Sequence, residues 1–483
     1  MSNLLASLNV TAGALNAFDM ALQTTQNNVA NAQTPGYAKQ TQTIDSVSFN
    51  LQQGSIGGVS AGASLSSRNE FAEQNVHNQN TELGSASQSV NSLTQLQNLF
   101  PVADDGSGIA SAMNGLFSAF SSWAESPNNS STQQVVLNNA TTVANAFNST
   151  AQGIYQFVTS TNSQISQTVN DINNLTGQLA ADNYQIQHGG GNDAGLDANL
   201  HNTLDQLSQY VNFSTMQQSD GTYTVLVDGQ TPLVIGSNQY SLSASMQQPT
   251  NPTPTNPNAP PLATITSSSG ADITSQVNSG QLGSLLTTRN TVIPSYIGDA
   301  YQSGSLNTMA QQFADRVNNL LTSGNVSDGP PAQTGTPLFT YDATNATNAA
   351  ASLSVNPSIT GAQLAAIQPG PPEVANGTAL ALAGLANPQQ ASDEINGQSY
   401  TQYYANIASS IGSSLTQATD TQSAQQTAVA QAQNLRQQAS GVDLNEEAAT
   451  LVQFQNAYQA NSRFITVIDN ITSDLINMIN TAN

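Results

Sequence analysis

The groups best suited to chemistry in this chain are its three histidines, His77, His188 and His201. His188, Asp193, Asp197 and His201 form the one cluster of metal-ligand type. A metal site needs such ligands on rigid spacing. Here Gly189, Gly190 and Gly191 stand among them, so the segment reads as a solvated loop. Asp104-Asp105-Gly106-Ser107-Gly108 begins like a calcium loop but lacks the glutamate that closes one, and it reads as a turn. Cysteine is absent, which removes disulfides, thiol nucleophiles and zinc fingers. No nucleophile elbow, phosphate-binding loop or zinc-protease helix occurs. Glu446 and Glu447 open a helix, where acidic side chains suit the positive end of the dipole. The expectation is therefore no enzyme, no cofactor and no metal site.

Charge narrows the partners. Only 7% of residues are charged, and six basic residues face 29 acidic ones for a net charge of −23. Such a chain repels phosphate backbones and anionic membranes, so neither nucleic acid nor membrane is expected as a partner. The surface must be covered by Asn, Gln, Ser and Thr, which suits close contact between copies in a polymer outside the cell. No apolar run approaches the roughly 18 residues that a membrane helix needs. Met1–Met20 carries Asp19, no Lys or Arg and no cleavage pattern, so export by the general secretory route is not expected. Absence of cysteine also suits export of an unfolded chain through a narrow channel.

The elements that could organise such a surface lie at the two ends. Leu451, Phe454, Tyr458, Asn461, Ile465, Ile468, Thr472, Leu475 and Ile479 follow the alternating three–four step of a coiled-coil seam. As one helix, Leu444 to Ile479 is about 50 Å long. Leu4, Leu8, Thr11, Leu15, Phe18, Leu22, Thr25, Val29 and Ala32 repeat the same step. Each stripe is useless alone, so the ends are expected to pair with each other or with neighbouring copies, Asn461 and Thr472 fixing register. The first helix must stop before Pro35, and Thr34-Pro35-Gly36-Tyr37 predicts a type II turn.

Between the ends, 40–49 reads as extended and Gly54–Gly62 as a flexible joint. Long polar helices follow over 69–100, 109–125 and from about 127 to 186, with Trp123 read as core. Asp220-Gly221 and Asp228-Gly229 punctuate strand-like runs at 211–217, 222–227, 232–235 and 240–246, a β-meander. A stiff proline-rich excursion spans Pro249–Pro261, helix returns over 282–321 with a break near Pro294, and 324–388 reads as the rest of a β-rich domain. The expected class is α+β and multidomain: a terminal α-helical coiled-coil stalk, a long-helix bundle and an inserted β-rich domain. The expected domains are 1–45 with 437–483, 46–210 with 393–436, and 211–392.

Two stretches carry a family resemblance. Asn27 to Tyr37, NNVANAQTPGY, resembles the signature of the flagellar axial family of rod, hook and hook-associated proteins, on Asn27, Asn31, Pro35, Gly36 and Tyr37. Ser440 to Ile471, SGVDLNEEAATLVQFQNAYQANSRFITVIDNI, is similar to the C-terminus of that family. The wording SGV-L-EEAA with FQ-AYQA-S, and the segment Asn278 to Arg289, are most similar to its subunits at the junction of hook and filament. The resemblance implies export by the flagellar type III apparatus, with a cytoplasmic chaperone on the C-terminal helix. It implies assembly as a ring of copies, with hook protein below and a second junction protein or filament above, outside the cell. The seams formed by Leu4, Leu8, Leu15, Phe18, Leu22 and Val29 and by Leu451, Phe454, Tyr458, Ile465, Ile468, Leu475 and Ile479 would then stay disordered until neighbours arrive. The family usually carries an arginine before the first β-strand, where this chain reads Leu204-Asp205-Gln206-Leu207-Ser208-Gln209. The alternatives are the hook protein itself, or a flagellum-surface adhesin whose middle domain holds a ligand.

Overall fold

The computed structural model describes residues 2–50, 55–102, 108–250 and 252–481. The expected turn at 104–107 lies outside the described residues. Helix α1 (Ser2–Asn31) is followed by β1 (Gln40–Ser46), β2 (Phe49–Asn50), β3 (Ser55–Ile56) and β4 (Val59–Ser66). Next come α2 (Glu70–Gln97), α3 (Gly108–Glu125), α4 (Ser130–Gln185) and α5 (Ala194–Tyr210). Strands β5 (Phe213–Gln217), β6 (Tyr223–Val227), β7 (Thr231–Ile235), β8 (Asn238–Gln239), β9 (Ser243–Gln247) and β10 (Leu262–Thr266) follow. Then come α6 (Gly280–Thr287), α7 (Pro294–Ile297), α8 (Ser305–Ser323), β11 (Asn325–Ser327), β12 (Gln333–Thr334) and β13 (Phe339–Thr340). The chain continues through α9 (Ala349–Ser352), β14 (Ser354–Val355), α10 (Gly377–Gly384), α11 (Tyr400–Ser440) and α12 (Leu444–Thr481). The class is α+β and multidomain, with long helices and small sheets, as the patterning predicts.

The chain packs as two compact units. The first takes Met1–Glu82, Ile172–Ser241 and Gln425–Asn483; the second takes Leu83–Asp171 and Leu242–Ala424. The expected outer segment 211–392 is therefore divided, with the meander in the first unit and 242–392 in the second.

In the first unit α1 lies against α12 and against a β-hairpin. Its first strand, β1, lies in the stretch 40–49 that reads as extended, while β3 and the start of β4 stand where a flexible joint was expected. β1 and β4 pair antiparallel from Gln40↔Ser66 to Ser46↔Val59, with β2 and β3 paired inside the loop. The meander forms a four-stranded sheet in the order β5-β6-β7-β8. Its β6–β7 turn has Asp228 at φ 50° and Gly229 at φ 66°, the two positive angles that a type I′ hairpin demands of an Asp-Gly pair. Asn183 on α4, fully buried, donates to the carbonyls of Tyr223 and Gly236 at 2.8 Å each and accepts from the Tyr223 amide at 2.9 Å. The stretch 240–246 does not supply the fourth strand. β9 leaves the meander and pairs with β10 across the proline-rich excursion, from Ser243↔Thr266 to Gln247↔Leu262.

The second unit is built on the aromatics of α3 and α8. Trp123 is fully buried and its Nε1 donates to the Pro127 carbonyl at 3.1 Å, so it is core, as read from the sequence. Phe313 packs edge-on to Phe117 and Tyr400, with centroids 6.1 and 5.3 Å apart. The segment 324–388 departs from its β-rich reading. Its strands are two or three residues long, and α9 and α10 pack on α8 and α3 instead. The alanine-rich runs let backbone approach closely: Ala350, Leu353, Ala379, Leu382 and Leu385 all join the same core. The interruption expected near Pro294 lies between α6, which ends at Thr287, and α7, which has Pro294 in its first turn, where a missing N–H costs nothing; a second break falls at 298–304.

Burial sets an alkaline limit on this core. Tyr400 and Tyr404 are pushed up to about 12, chiefly by desolvation. In the unfolded chain they ionise near 10. Between those values the folded state holds protons that the unfolded state has lost, so stability falls as pH rises. The contribution is complete below about pH 10 and disappears through about pH 12. Urea midpoints measured from pH 9 to 12, with tyrosinate absorbance followed in parallel, are expected to fall steadily over that window.

Candidate assembly surface

Pairing of the two terminal helices is the first feature of the surface. The buried line of α1 is Thr11, Ala14, Ala17, Ala21, Thr25 and Asn28. Thr11 and Thr25 of the predicted stripe lie on this line, while its leucines and Phe18 lie about a quarter-turn away on the helix. Leu4, Leu8, Leu15, Phe18 and Leu22 are half-buried, and Val29 is exposed. The reason is that α1 has two neighbours, so the line between them takes small residues and the leucines flank it. On α12, Ile468 is buried and Leu451, Phe454 and Ile465 are half-buried, while Tyr458 and Leu475 are exposed. The side chain of Ile479 lies outside the described residues. Phe18 meets Phe454 with ring centroids 6.3 Å apart.

A second stripe on α12 faces solvent. Phe464, Val467, Ile471, Leu475 and Met478 are 54%, 50%, 44%, 43% and 71% exposed. Their spacing of three and four residues puts them on one helix face. Of these, sequence reasoning assigned only Leu475 to a seam. The same step displaced along the helix was legible in the sequence and was missed because the first seam accounted for the helix.

Where the ends meet, the motif residues close a polar joint. Asn28 is its hub, and the sequence reading passed over it. Its Nδ2 donates to the Gln40 carbonyl at 2.8 Å and to Glu447 Oε2 at 3.1 Å. Its Oδ1 accepts from the Tyr37 hydroxyl and the Gln40 amide, both at 2.9 Å. All four hydrogen-bonding positions of the amide are used. Asn31 bonds back to Asn27 Oδ1 at 2.7 Å and accepts from Thr34 at 3.1 Å, which closes the helix end before Pro35. Tyr37 is pushed up to about 12 by burial, then by the negative charge of Glu447 and Asp197. Lys39 pairs with Glu446 at 3.0 Å and Glu447 at 3.2 Å. Burial opposes the charge on Lys39, yet those two carboxylates hold its ammonium above the ordinary range. Glu446 and Glu447 thus do more than favour a helix dipole: they tie α12 to the end of α1.

Gly36 fixes the turn. Its φ is 75°, and a Cβ there would stand 2.3 Å from the Ala198 carbonyl oxygen. Gly36→Ala is expected to cost about 2–3 kcal/mol, since neither the backbone angle nor the facing helix can yield. A urea titration of the purified chain checks it; an unchanged midpoint would show that α5 moves aside.

Beneath the joint lies a charged cluster, all of it in the first unit. Arg68 reaches Glu73 at 2.7 Å, Asp197 at 2.5 Å and the Gly36 carbonyl at 2.7 Å. Arg436 bridges Glu73 at 3.0 Å and Asp205 at 2.7 Å. Asp205 is held below its usual range: burial raises it, but His77 and Arg436 outweigh that. The solvated-loop reading of the histidine segment holds only in part. His188 is exposed and stacks on Tyr184, whereas Asp193 caps α5 and His201 is buried within it. Desolvation, then Arg68, keeps His201 neutral well below its ordinary value. Its Nε2 lies 3.2 Å from the Tyr223 hydroxyl, which donates to Glu70 at 3.0 Å. Among the described residues no helix is long and apolar enough to cross a membrane.

Family models match both ends and the middle of the chain. A family model for the flagella basal body rod protein matches residues 8–37, and one for the flagellar basal body rod FlgEFG protein C-terminal matches 432–478. Paired ends of this kind define a protein of the flagellar rod and hook class. A third model, flagellar hook-associated protein FlgK helical domain, matches residues 93–339, just over half of the chain. The chain belongs to this flagellar hook-associated protein FlgK family. It is 28% identical to flagellar hook-associated protein 1 of Bacillus subtilis (strain 168), over 99% of each chain. Against flagellar hook-associated protein 1 of Escherichia coli (strain K12) identity is 24%, covering 96% of this chain and 98% of the other. The flagellar hook junction protein FlgK from Burkholderia pseudomallei shares its fold, with a TM-score of 0.61 and 18% identity over 76% of this chain and 99% of that one.

Proposed function

We propose that this chain is a structural subunit of the bacterial flagellum, placed at the junction of hook and filament, with no catalytic role. The observation that carries the reading is the open apolar stripe Phe464, Val467, Ile471, Leu475 and Met478, on a helix whose other face already has its partner. A lone subunit leaves this surface in water, and a ring of copies covers it. Each large side chain fully buried there contributes about 1.5–3 kcal/mol, against the cost of ordering the helix ends. The half-buried seam residues Leu4, Leu8, Leu15, Phe18, Leu22, Leu451, Phe454 and Ile465 complete the contact, with Val29 and Tyr458 at its margin. Hook protein lies below the ring, and a second junction protein or the filament above it. Before assembly the chain leaves the cytoplasm by the flagellar type III route, with an export chaperone covering the C-terminal helix. The final location is extracellular, on the flagellum.

Deleting the gene in a motile strain tests this. Hooks are expected to remain, while filament subunits appear in the medium and swimming stops. Normal filaments in the deletion strain would overturn the reading, as would long tubes formed by the purified chain alone, which would mark a hook protein.

A further inference from the structure

We propose, resting on the subunit reading above, that Arg463 forms an ion pair with Asp19 of a second copy, and that this pair sets the register in which α1 of that copy covers the open stripe of α12. Charge singles out the arginine. The chain holds six basic residues against 29 acidic ones. Lys39, Arg68, Arg316 and Arg436 each hold a carboxylate, and Arg289 is buried against Asn162. Among the described residues only Arg463, of the six, has no acceptor, and it is exposed. Copies with a net charge of −23 repel one another, so a free cation is where a contact between them gains most in specificity. Arg463 stands one turn before Val467, at the head of the stripe that ends at Met478.

Helix α1 presents the complement. Leu5, Ala12 and Asp19 recur every seven residues on one side of it and are all exposed, Leu5 at 63%. Asp19 accepts from the Gln23 amide at 2.8 Å and, among the described residues, has no cation. Within one chain α1 and α12 run antiparallel, because Phe18 meets Phe454 while Asn28 meets Glu447. Copies in a ring share one helix direction, so a neighbour's α1 also meets α12 antiparallel. The two surfaces then match in length: Arg463 to Met478 covers about 22 Å, and Asp19 back to Leu5 about 21 Å. With Asp19 on Arg463, Leu5 arrives at Met478, and the small Ala12 falls beside Ile471. The pair cannot form inside one chain. Phe18 lies level with Phe454, which leaves Asp19 about ten residues, or about 15 Å, short of Arg463 along the helices. Contacting copies are therefore offset by about 15 Å in that direction.

Charge exchange in the complemented deletion strain tests the pair, with D19R, R463D and the combined D19R/R463D as full-length chains. Both positions are exposed, so the purified variants are expected to melt as the parent does. Each single variant sets like charges face to face and is expected to cut the number of filaments per cell by about tenfold or more, and the combined variant to restore most of them. The chain has no cysteine, so D19C/R463C gives a second measurement. Oxidised flagella are expected to yield disulfide-linked multimers, since an intrachain bridge would have to span about 15 Å where about 7 Å is the limit between Cα atoms. Parent filament numbers in either single variant overturn the proposal, as does a combined variant no better than the singles. Rescue of R463D by D469R or D474R instead would place α12 of the second copy on the stripe and overturn it too, as would monomers alone from the cysteine variant. In all these cases, filament loss in the deletion strain leaves the subunit reading standing, so the two fail separately.

Discussion

Replacing both Phe464 and Ile471 by aspartate is expected to abolish filament attachment while leaving the isolated subunit folded. Both side chains are about half exposed in the subunit, at 54% and 44%, so the single chain loses little packing. Substitution at exposed helix positions usually changes stability by about 0.5 kcal/mol or less. In a ring the same two positions would be covered, and each new carboxylate would be buried without a partner. An unpaired buried charge costs about 3–5 kcal/mol, enough to weaken a contact more than a hundredfold, and a ring repeats that cost at every subunit. Motility assays and electron microscopy of a complemented deletion strain read the assembly, and thermal melting of the purified variant reads the fold. Filaments of normal number on a strain carrying the folded variant would show that the open stripe is not the contact between copies.

Asn28→Ala is expected to cost about 3–5 kcal/mol in unfolding of the first unit. The substitution strips Glu447, itself 2% exposed, of its amide donor, and leaves the Gln40 amide and carbonyl and the Tyr37 hydroxyl unmatched. Lys39 still pairs with Glu447, which keeps the loss below that of a fully isolated charge. Asn27→Ala is the control one residue away: Asn27 is exposed, and its replacement is expected to shift the urea midpoint only slightly. Equal midpoints for the two variants would mean that the joint between α1 and α12 carries little of the stability. The same comparison run at pH 7 and pH 11 separates the Tyr37 contribution. Its hydroxyl is pushed up to about 12, so the bond to Asn28 persists at pH 11 in the folded parent, while unfolded tyrosine has largely ionised.

The local features of this protein were legible in its sequence. The end of α1 before Pro35, the turn at Gly36, the buried Trp123 and the Asp228-Gly229 hairpin each depend on residues a few positions apart. So does the paired periodicity of the terminal helices, because a three–four repeat is a property of one helix alone. Tertiary structure decided the rest. Which line of α1 is covered depended on its having both α12 and the β1–β4 hairpin as neighbours, and this chose the alanines over the leucines. Asn28 reads as one of many asparagines until Gln40 and Glu447 are brought to it, and Arg436 reads as a stray charge until it reaches Glu73 and Asp205. The alanine-rich 324–388 stretch gave no periodic signal, since its residues are placed by contact with α3 and α8 rather than by any repeat of their own. Periodicity tells which side of an element wants shelter; only the packed chain tells what provides it.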